Sequence, residues 1–357
     1  MLDLDRYLKL MVDKQASDLF LSSHALVQMK VQGVMRPLGE KQLSPSLVKE
    51  VAYGLMNPGQ IADFEKEWEM NFAHEVEGVG RFRVNIYRQR GDVALVIRHI
   101  RSEIPSISEL NLPSSLQDLV MERNGLILIV GATGSGKSTT LAAMLEHRNL
   151  STSGHILTIE DPIEYLHSSK LSLINQREVG IDTHSFSNAL KNAMREAPDV
   201  IMIGEIRDRE TMEQAIRYSE TGHLCLSTLH ANNSNQALEH ILNFFHETES
   251  RKLTMDLSLN LKAVVSLRLV RGLNDQFIPV TEVLVNTPYV SELVARGDFT
   301  RLRDVVENAG DGVMHSFDQS LLKLYQQGRI SEAEALHNAD SRNNMSLKIR
   351  LMANSVG

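Results

Sequence analysis

The sequence predicts an α/β protein: a parallel sheet covered on both faces, with a mainly helical region after it and a small α+β module before it. Three observations predict this class. From Gly125 onward, short continuous apolar runs (Leu126 to Val130, Ile156 to Ile159, Val200 to Ile203 and Leu224 to Ser227) alternate with helical segments, the pattern of strands buried on both faces. Before residue 104, helical spacing and short strand-like runs mix without that alternation. The 357 residues are 42% hydrophobic and 23% charged, a globular composition long enough for two domains.

Taken in order, Leu4, Tyr7, Leu8 and Met11 recur at helical spacing. Asp18-Leu19-Phe20-Leu21 and Lys30-Val31-Gln32 are strand-like, and Ser46 to Leu55 reads as a helix ended near the breaker pair Pro58-Gly59. Arg81 to Ile86 and Val93 to Ile100 form a hairpin, with Gln89-Arg90-Gly91-Asp92 as its turn. These make an N-terminal α+β domain over 1–103. Pro105, Ser106, Ser108, Pro113, Ser114 and Ser115 mark 104–120 as a linker, because proline stiffens a chain and serine favours turns. The second domain is 121–357, and after about residue 235 it reads as mainly helical. There Phe317, Leu321 and Leu324 share a helix face stopped near Gly328, and Ser331 with Glu334 forms a capping box.

Charge and cysteine exclude several classes. A single cysteine rules out a disulfide framework or a multi-cysteine zinc module within the chain and points to a reducing compartment. No apolar run reaches the length of a membrane span, and Asp3 and Asp5 stand where a signal peptide is basic, so the reading is a soluble cytoplasmic protein. The net charge of −8 gives no whole-molecule attraction to nucleic acid, and no nucleic-acid partner is expected. The charge is uneven. Residues 1–103 are neutral, and within them Arg81, Arg83, Arg88, Arg90, Arg98 and Arg101 are accompanied by one acid, Asp92.

The strongest chemical signal is Gly131-Ala132-Thr133-Gly134-Ser135-Gly136-Lys137-Ser138, followed by Thr139, set between an apolar strand and a helix. Glycines there let successive backbone N–H groups converge on phosphate oxygens, with Lys137 for the β and γ phosphates and Ser138 for Mg²⁺. Hydrolysis of ATP also needs a carboxylate near the metal and one that positions water. Asp199 to Glu205 is an apolar strand ending in an acid, which puts Glu205 at the sheet edge where α/β folds bind ligands. Glu160-Asp161-Pro162-Ile163-Glu164 follows another strand. His223 and His230 bracket a fourth. Their spacing is poor for zinc; each stands as a structural histidine, or His230, with Thr228 just past a strand beside the phosphate loop, as a sensor of the γ-phosphate. The arginine cluster admits a solvated edge, a nucleic-acid groove that 5% aromatic content disfavours, or arginines given to the transferred phosphate by domain closure or by a neighbouring subunit.

Together these residues resemble the secretion ATPase superfamily, and within it the type IV pilus retraction ATPases. Ser17-Asp18-Leu19 is similar to the N-terminal signature, Gly131 to Thr139 to the Walker A loop, Ile159 to Tyr165 to the Asp box, Asp199 to Asp208 to the Walker B region and Thr221 to His230 to the His box. Cys225 to Leu238 is similar to the PilU branch. The resemblance implies a RecA-like P-loop ATPase domain behind a PAS-like N-terminal domain, a homo-hexamer using ATP and Mg²⁺, and docking at the cytoplasmic face of the inner membrane on a PilC-type platform protein. It implies Glu164 as general base, Glu205 acting on Mg²⁺ through water, Arg83 and Arg98 serving the γ-phosphate, and His223 and His230 coupling phosphate state to the subunit interface. Tyr289 to Gly297 departs from the Ala-Ile-Arg-Asn-Leu type motif of the PilT branch, so an auxiliary role beside a PilT-type retraction ATPase is implied. Extension-type members usually carry a tetracysteine module, which a chain with one cysteine cannot build.

Overall fold

A computed structural model describes residues 2–31, 33–274, 276–309 and 312–355. The chain divides into two compact units, residues 1–103 with 164–166, and 104–163 with 167–357. Among the described residues no helix is long and apolar enough to cross a membrane.

The first unit is a six-stranded antiparallel sheet of β1 (Ala16–Ser22), β2 (Val27–Val31), β3 (Val34–Leu38), β4 (Glu69–Val76), β5 (Gly80–Gln89) and β6 (Asp92–Ile100), in the order β3-β2-β1-β6-β5-β4. Gln32, read with the second strand, lies outside the described residues. Alternate residues Leu19, Leu21, Met29, Phe82, Ile86, Leu95 and Ile97 pack with Leu8, Met11, Val48 and Phe64 from the helices Leu4–Asp13, Pro45–Leu55 and Pro58–Glu67. The β5–β6 hairpin forms as expected. Its two-residue turn needs positive φ at both positions, met by Arg90 at 51° and Gly91 at 88°. The helix Pro45–Leu55 ends before Pro58-Gly59, as expected, and Pro58 also opens the next helix, capped reciprocally by Asn57 and Gln60, since proline's missing N–H costs nothing in a first turn.

The second unit is a seven-stranded sheet: β7 (Gly125–Gly131), β8 (His155–Glu160), β9 (Leu173–Glu178), β10 (Val200–Ile203), β11 (Leu224–Leu229), β12 (Leu261–Arg271) and β13 (Phe277–Val285). Its order is β13-β12-β7-β11-β10-β8-β9, with only β13 antiparallel. Both faces are covered. In β7, Leu126, Leu128 and Val130 enter one apolar layer while Ile127 and Ile129 enter the other.

Three departures from the sequence reading are instructive. The region beyond 235 is mainly helical, as read, but β12 and β13 add two strands within it; Lys262, Ser266 and Arg268 interrupt the apolar run that would reveal β12. Residues 104–120 are no free linker: Ile107, Leu112, Leu116, Leu119 and Val120 are buried in the second unit's core, the last three on the helix Ser115–Val120. Of the capping box at Ser331, one half forms, Glu334 N donating to Ser331 Oγ at 3.1 Å. The Glu334 carboxylate turns instead to Arg271 N at 2.8 Å, tying the helix Glu332–Asn338 to β12. The helix Phe317–Gln326 buries Phe317, Leu321 and Leu324 as expected and is followed by Gly328 at φ 65°.

Candidate nucleotide site

The loop from Gly131 to Gly136 leaves the C-terminal end of β7 and turns into the 15-residue helix Lys137–Ser151. Gly131 sits at φ 156°, where an added Cβ would come within 2.7 Å of Leu267 O and would also strike Ser135 Oγ. Gly134 and Gly136 hold φ of 79° and 96° and face open space. Glycine is required at all three for different reasons: close approach at the first, left-handed backbone at the others.

The arrangement gathers donors. Gly136 caps the helix without any side-chain acceptor, so first-turn N–H groups from Lys137 to Thr139 carry the positive end of the helix dipole into the loop. Lys137 Nζ donates to Gly131 O at 2.9 Å and Ala132 O at 3.0 Å, folded over the loop. Ser135 Oγ is buried with no hydrogen-bond partner among the described residues. Ala132, Thr133 and Gly134 are exposed and Ser138 is half-buried at the helix start. Backbone N–H groups, an ammonium and an unsatisfied hydroxyl around one concavity fit a polyphosphate.

Glu205 stands just beyond β10, as expected for an acid at the sheet's C-terminal edge, and its side chain is 18% exposed. Its Oε2 accepts from Arg207 Nε at 2.8 Å and its Oε1 lies 3.0 Å from His230 Nε2. Thr228, near the end of β11, donates through Oγ1 to Gly204 O at 2.7 Å, while its own carbonyl accepts from Ile206 N at 2.9 Å. Thr228 thereby fixes the turn that presents Glu205. A cleft of 290 Å³ is lined by Gly131, Ala132, His230, Asn232, Gln236 and His240 among others, which puts His230 and the start of the phosphate loop on one cavity. His240 Nδ1 lies 3.1 Å from His230 O.

The remaining candidates lie elsewhere. His223 precedes β11, at the end of the sheet opposite the phosphate loop, where its Nδ1 lies 3.1 Å from Thr221 Oγ1 and its carbonyl accepts from Gly125 N. The two histidines are thus separated by the length of the strand. Glu164 is exposed, between buried Ile163 and Tyr165, after a cis Asp161–Pro162 peptide. In the first unit Arg83 and Arg98 are directly opposite across β5 and β6, and Arg98 Nε donates to Asp18 Oδ1 at 2.8 Å. Asp18 is 3% exposed and also accepts from Ser17 Oγ, which gives the Ser17-Asp18-Leu19 signature its structural sense. Burial pushes the Cys225 thiol up to about 12, so the lone cysteine is an inert apolar residue. Among the described residues no group of His, Cys, Asp or Glu is arranged to hold a metal by itself.

A family model, "Type II/IV secretion system protein", matches residues 2–323. The chain belongs to this family of ATPases. As a member of it, the chain is 47% identical over 355 residues to the type IV pilus ATPase PilU of Pseudomonas aeruginosa, covering 99% of this chain and 93% of that protein. It is 37% identical over 338 residues to the type IV pilus retraction ATPase PilT of the same organism, covering 95% and 98%. The crystal structure of the pilus retraction motor PilT with bound ADP superposes with a TM-score of 0.90 at 35% identity, over 96% of this chain and 99% of that one. This α/β fold, with its strand-and-helix N-terminal unit, is therefore the fold of the family.

Sequence reasoning missed Glu146, His167, Gln176 and Glu178, all buried or half-buried polar side chains around the segment that carries Glu164. Polar residues at Gln176 and Glu178, two apart after Leu173 and Ile174, are the only local signal of β9.

Proposed function

We propose that the chain is an ATP-hydrolysing motor subunit of type IV pilus retraction, working as a homo-hexamer at the cytoplasmic face of the inner membrane. The observation that carries this is the start of the phosphate loop, Gly131 and Ala132, sharing a cleft with His230, whose Nε2 lies 3.0 Å from Glu205 Oε1. Residues 131–139 bind the phosphates of ATP, with Lys137 released from Gly131 O and Ala132 O to the β and γ oxygens. Ser138 would hold Mg²⁺ directly and Glu205 would do so through water, and the ion would neutralise charge on the phosphates. Glu164 takes the proton of the attacking water. Arg83 and Arg98 serve the γ-phosphate of a neighbouring subunit, Thr228 and His230 sense its loss, and His223 relays that state at the subunit boundary. A PilC-type platform protein and a PilT-type ATPase are the partners, and the helix Pro288–Arg296 with Gly297, which departs from the PilT-branch motif, supports the auxiliary role.

Purified full-length protein should hydrolyse Mg-ATP, and Lys137→Ala and Glu164→Gln should each lower turnover at least about 100-fold; unchanged rates in both overturn the site assignment. The auxiliary role is tested in cells. A strain carrying Lys137→Ala should match a full deletion, whereas a silent point variant beside a defective deletion means a scaffold instead of a motor.

A further inference from the structure

The segment that carries Glu164 is fastened on both sides by side chains from a neighbouring strand. Gln176 and Glu178 are two residues apart on β9 and therefore share one face of it. Ile163 N donates to Glu178 Oε2 at 3.2 Å, and His167 N donates to Gln176 Oε1 at 2.8 Å. These two amides flank residues 164–166. Without those acceptors, the Ile163 amide would be buried unpaired, a cost of about 1–3 kcal/mol that keeps the clamp closed.

The clamp is itself braced. Gln176 Nε2 donates to Glu160 Oε1 at 3.1 Å, Thr158 Oγ1 donates to the same oxygen at 2.6 Å, and Glu160 O accepts from Val179 N at 2.8 Å. On the other side the His167 ring lies 3.4 Å from Glu146 Oε2, which also accepts from Asn149 Nδ2 at 3.1 Å, while Glu146 Oε1 pairs with Lys170. Glu146 and Asn149 belong to the helix that starts at Lys137. The His167 end of the Glu164 segment is thus referenced to the helix that opens the phosphate loop.

We propose that Gln176 and Glu178 are positioning residues for hydrolysis: they hold the backbone at Ile163 and His167 so that exposed Glu164 is presented in one direction. This rests on the reading of Glu164 as the group that positions water. Neither residue touches nucleotide; they act through the backbone they hold.

The experiment uses full-length protein carrying Gln176→Leu, Glu178→Ala, Glu178→Gln and Glu164→Gln. Gln176→Leu and Glu178→Ala should lower kcat about 10–100-fold, the size of a misplaced catalytic group, while affinity for fluorescent ADP stays within about twofold. Glu178→Gln keeps an oxygen for Ile163 N and should keep most of kcat. Adding Gln176→Leu to Glu164→Gln should cost little further, because both remove the same function. If Glu164→Gln leaves kcat intact, the reading of Glu164 fails. If Glu164→Gln is defective while Gln176→Leu and Glu178→Ala keep wild-type kcat, the positioning proposal is overturned. Should Gln176→Leu fold poorly, Gln176→Asn, one methylene shorter, gives a second readout: amide exchange in residues 161–168 should rise about three- to tenfold as one hydrogen bond is lost, and unchanged exchange overturns the proposal.

Discussion

Glu205 Oε1 lies 3.0 Å from His230 Nε2, joining the loops that leave two neighbouring parallel strands, β10 and β11. A carboxylate that acts through a metal-bound water needs its orientation fixed from outside, and a ring nitrogen at this distance does that. His230→Ala should lower kcat about 10–100-fold, as loss of such outer partners typically does, with ADP affinity nearly unchanged. A fall in ADP affinity equal to that in kcat would place His230 in nucleotide binding instead.

Arg83 and Arg98 are paired across β5 and β6, yet among the described residues only Arg98 has a carboxylate partner, the buried Asp18. Arg98→Gln removes the charge opposite that carboxylate and should destabilise the protein by about 1–3 kcal/mol, the cost of an underpaired buried acceptor. Arg83→Gln should leave stability within about 0.5 kcal/mol, as surface changes do. Denaturant melts separate the two, and both variants should lose turnover if both serve the γ-phosphate. Loss of turnover in Arg98→Gln alone would narrow the role to one arginine.

Cys225 is fully buried and its thiol is pushed up to about 12. A thiolate is the reactive form, so native protein at pH 8 should not react with a thiol-specific disulfide reagent over minutes, whereas denatured protein should release one equivalent per chain. Fast native labelling would mean that β11 opens locally.

Stability should fall on mild acidification. Burial holds His167 below its ordinary value of 6.5, against the pull of Glu146. The unfolded chain therefore takes up the proton first: stability is fully present above about 6.5 and is lost as pH falls through the lower, folded-state value. Glu146 follows in the same direction further down. Burial raises it, but hydrogen bonds from Lys170, Asn149 and His167 outweigh burial and hold it below 4.5. Thermal midpoints should drop between pH 7.5 and 5.5, and His167→Asn should shrink that drop without abolishing it, because burial lowers His99 as well. An unchanged pH dependence in the variant would remove His167 from the account.

What the sequence made legible follows from locality. The strands β7, β8, β10 and β11 were readable because each is a continuous apolar run, and the phosphate loop because its chemistry is contiguous from Gly131 to Thr139. β9 hid because Asn175, Gln176, Arg177 and Glu178 make it polar at the sheet edge, and β12 because polar residues punctuate it. His223 and His230 were legible as bracketing a strand, and that strand sends them to opposite ends of the sheet. The anchors of Ile163 and His167 could not be read, since backbone N–H groups leave no trace in residue identity.

The short strip 164–166 groups with the first unit, where Tyr165 bridges Arg101 and Leu166 N donates to Arg101 O at 3.0 Å, while the chain on either side of it groups with the second. The chain therefore passes between the two units three times, after residues 103, 163 and 166. A cut after residue 103 would not release two independent pieces: it would strip Tyr165, 8% exposed, of its strand partner and leave the strip that bears Glu164 without the surface it belongs to. For dissection or chimera-building in this protein, the inheritable module is the first unit together with its three-residue graft, and swapping one without the other should yield a protein that binds nucleotide but turns it over poorly.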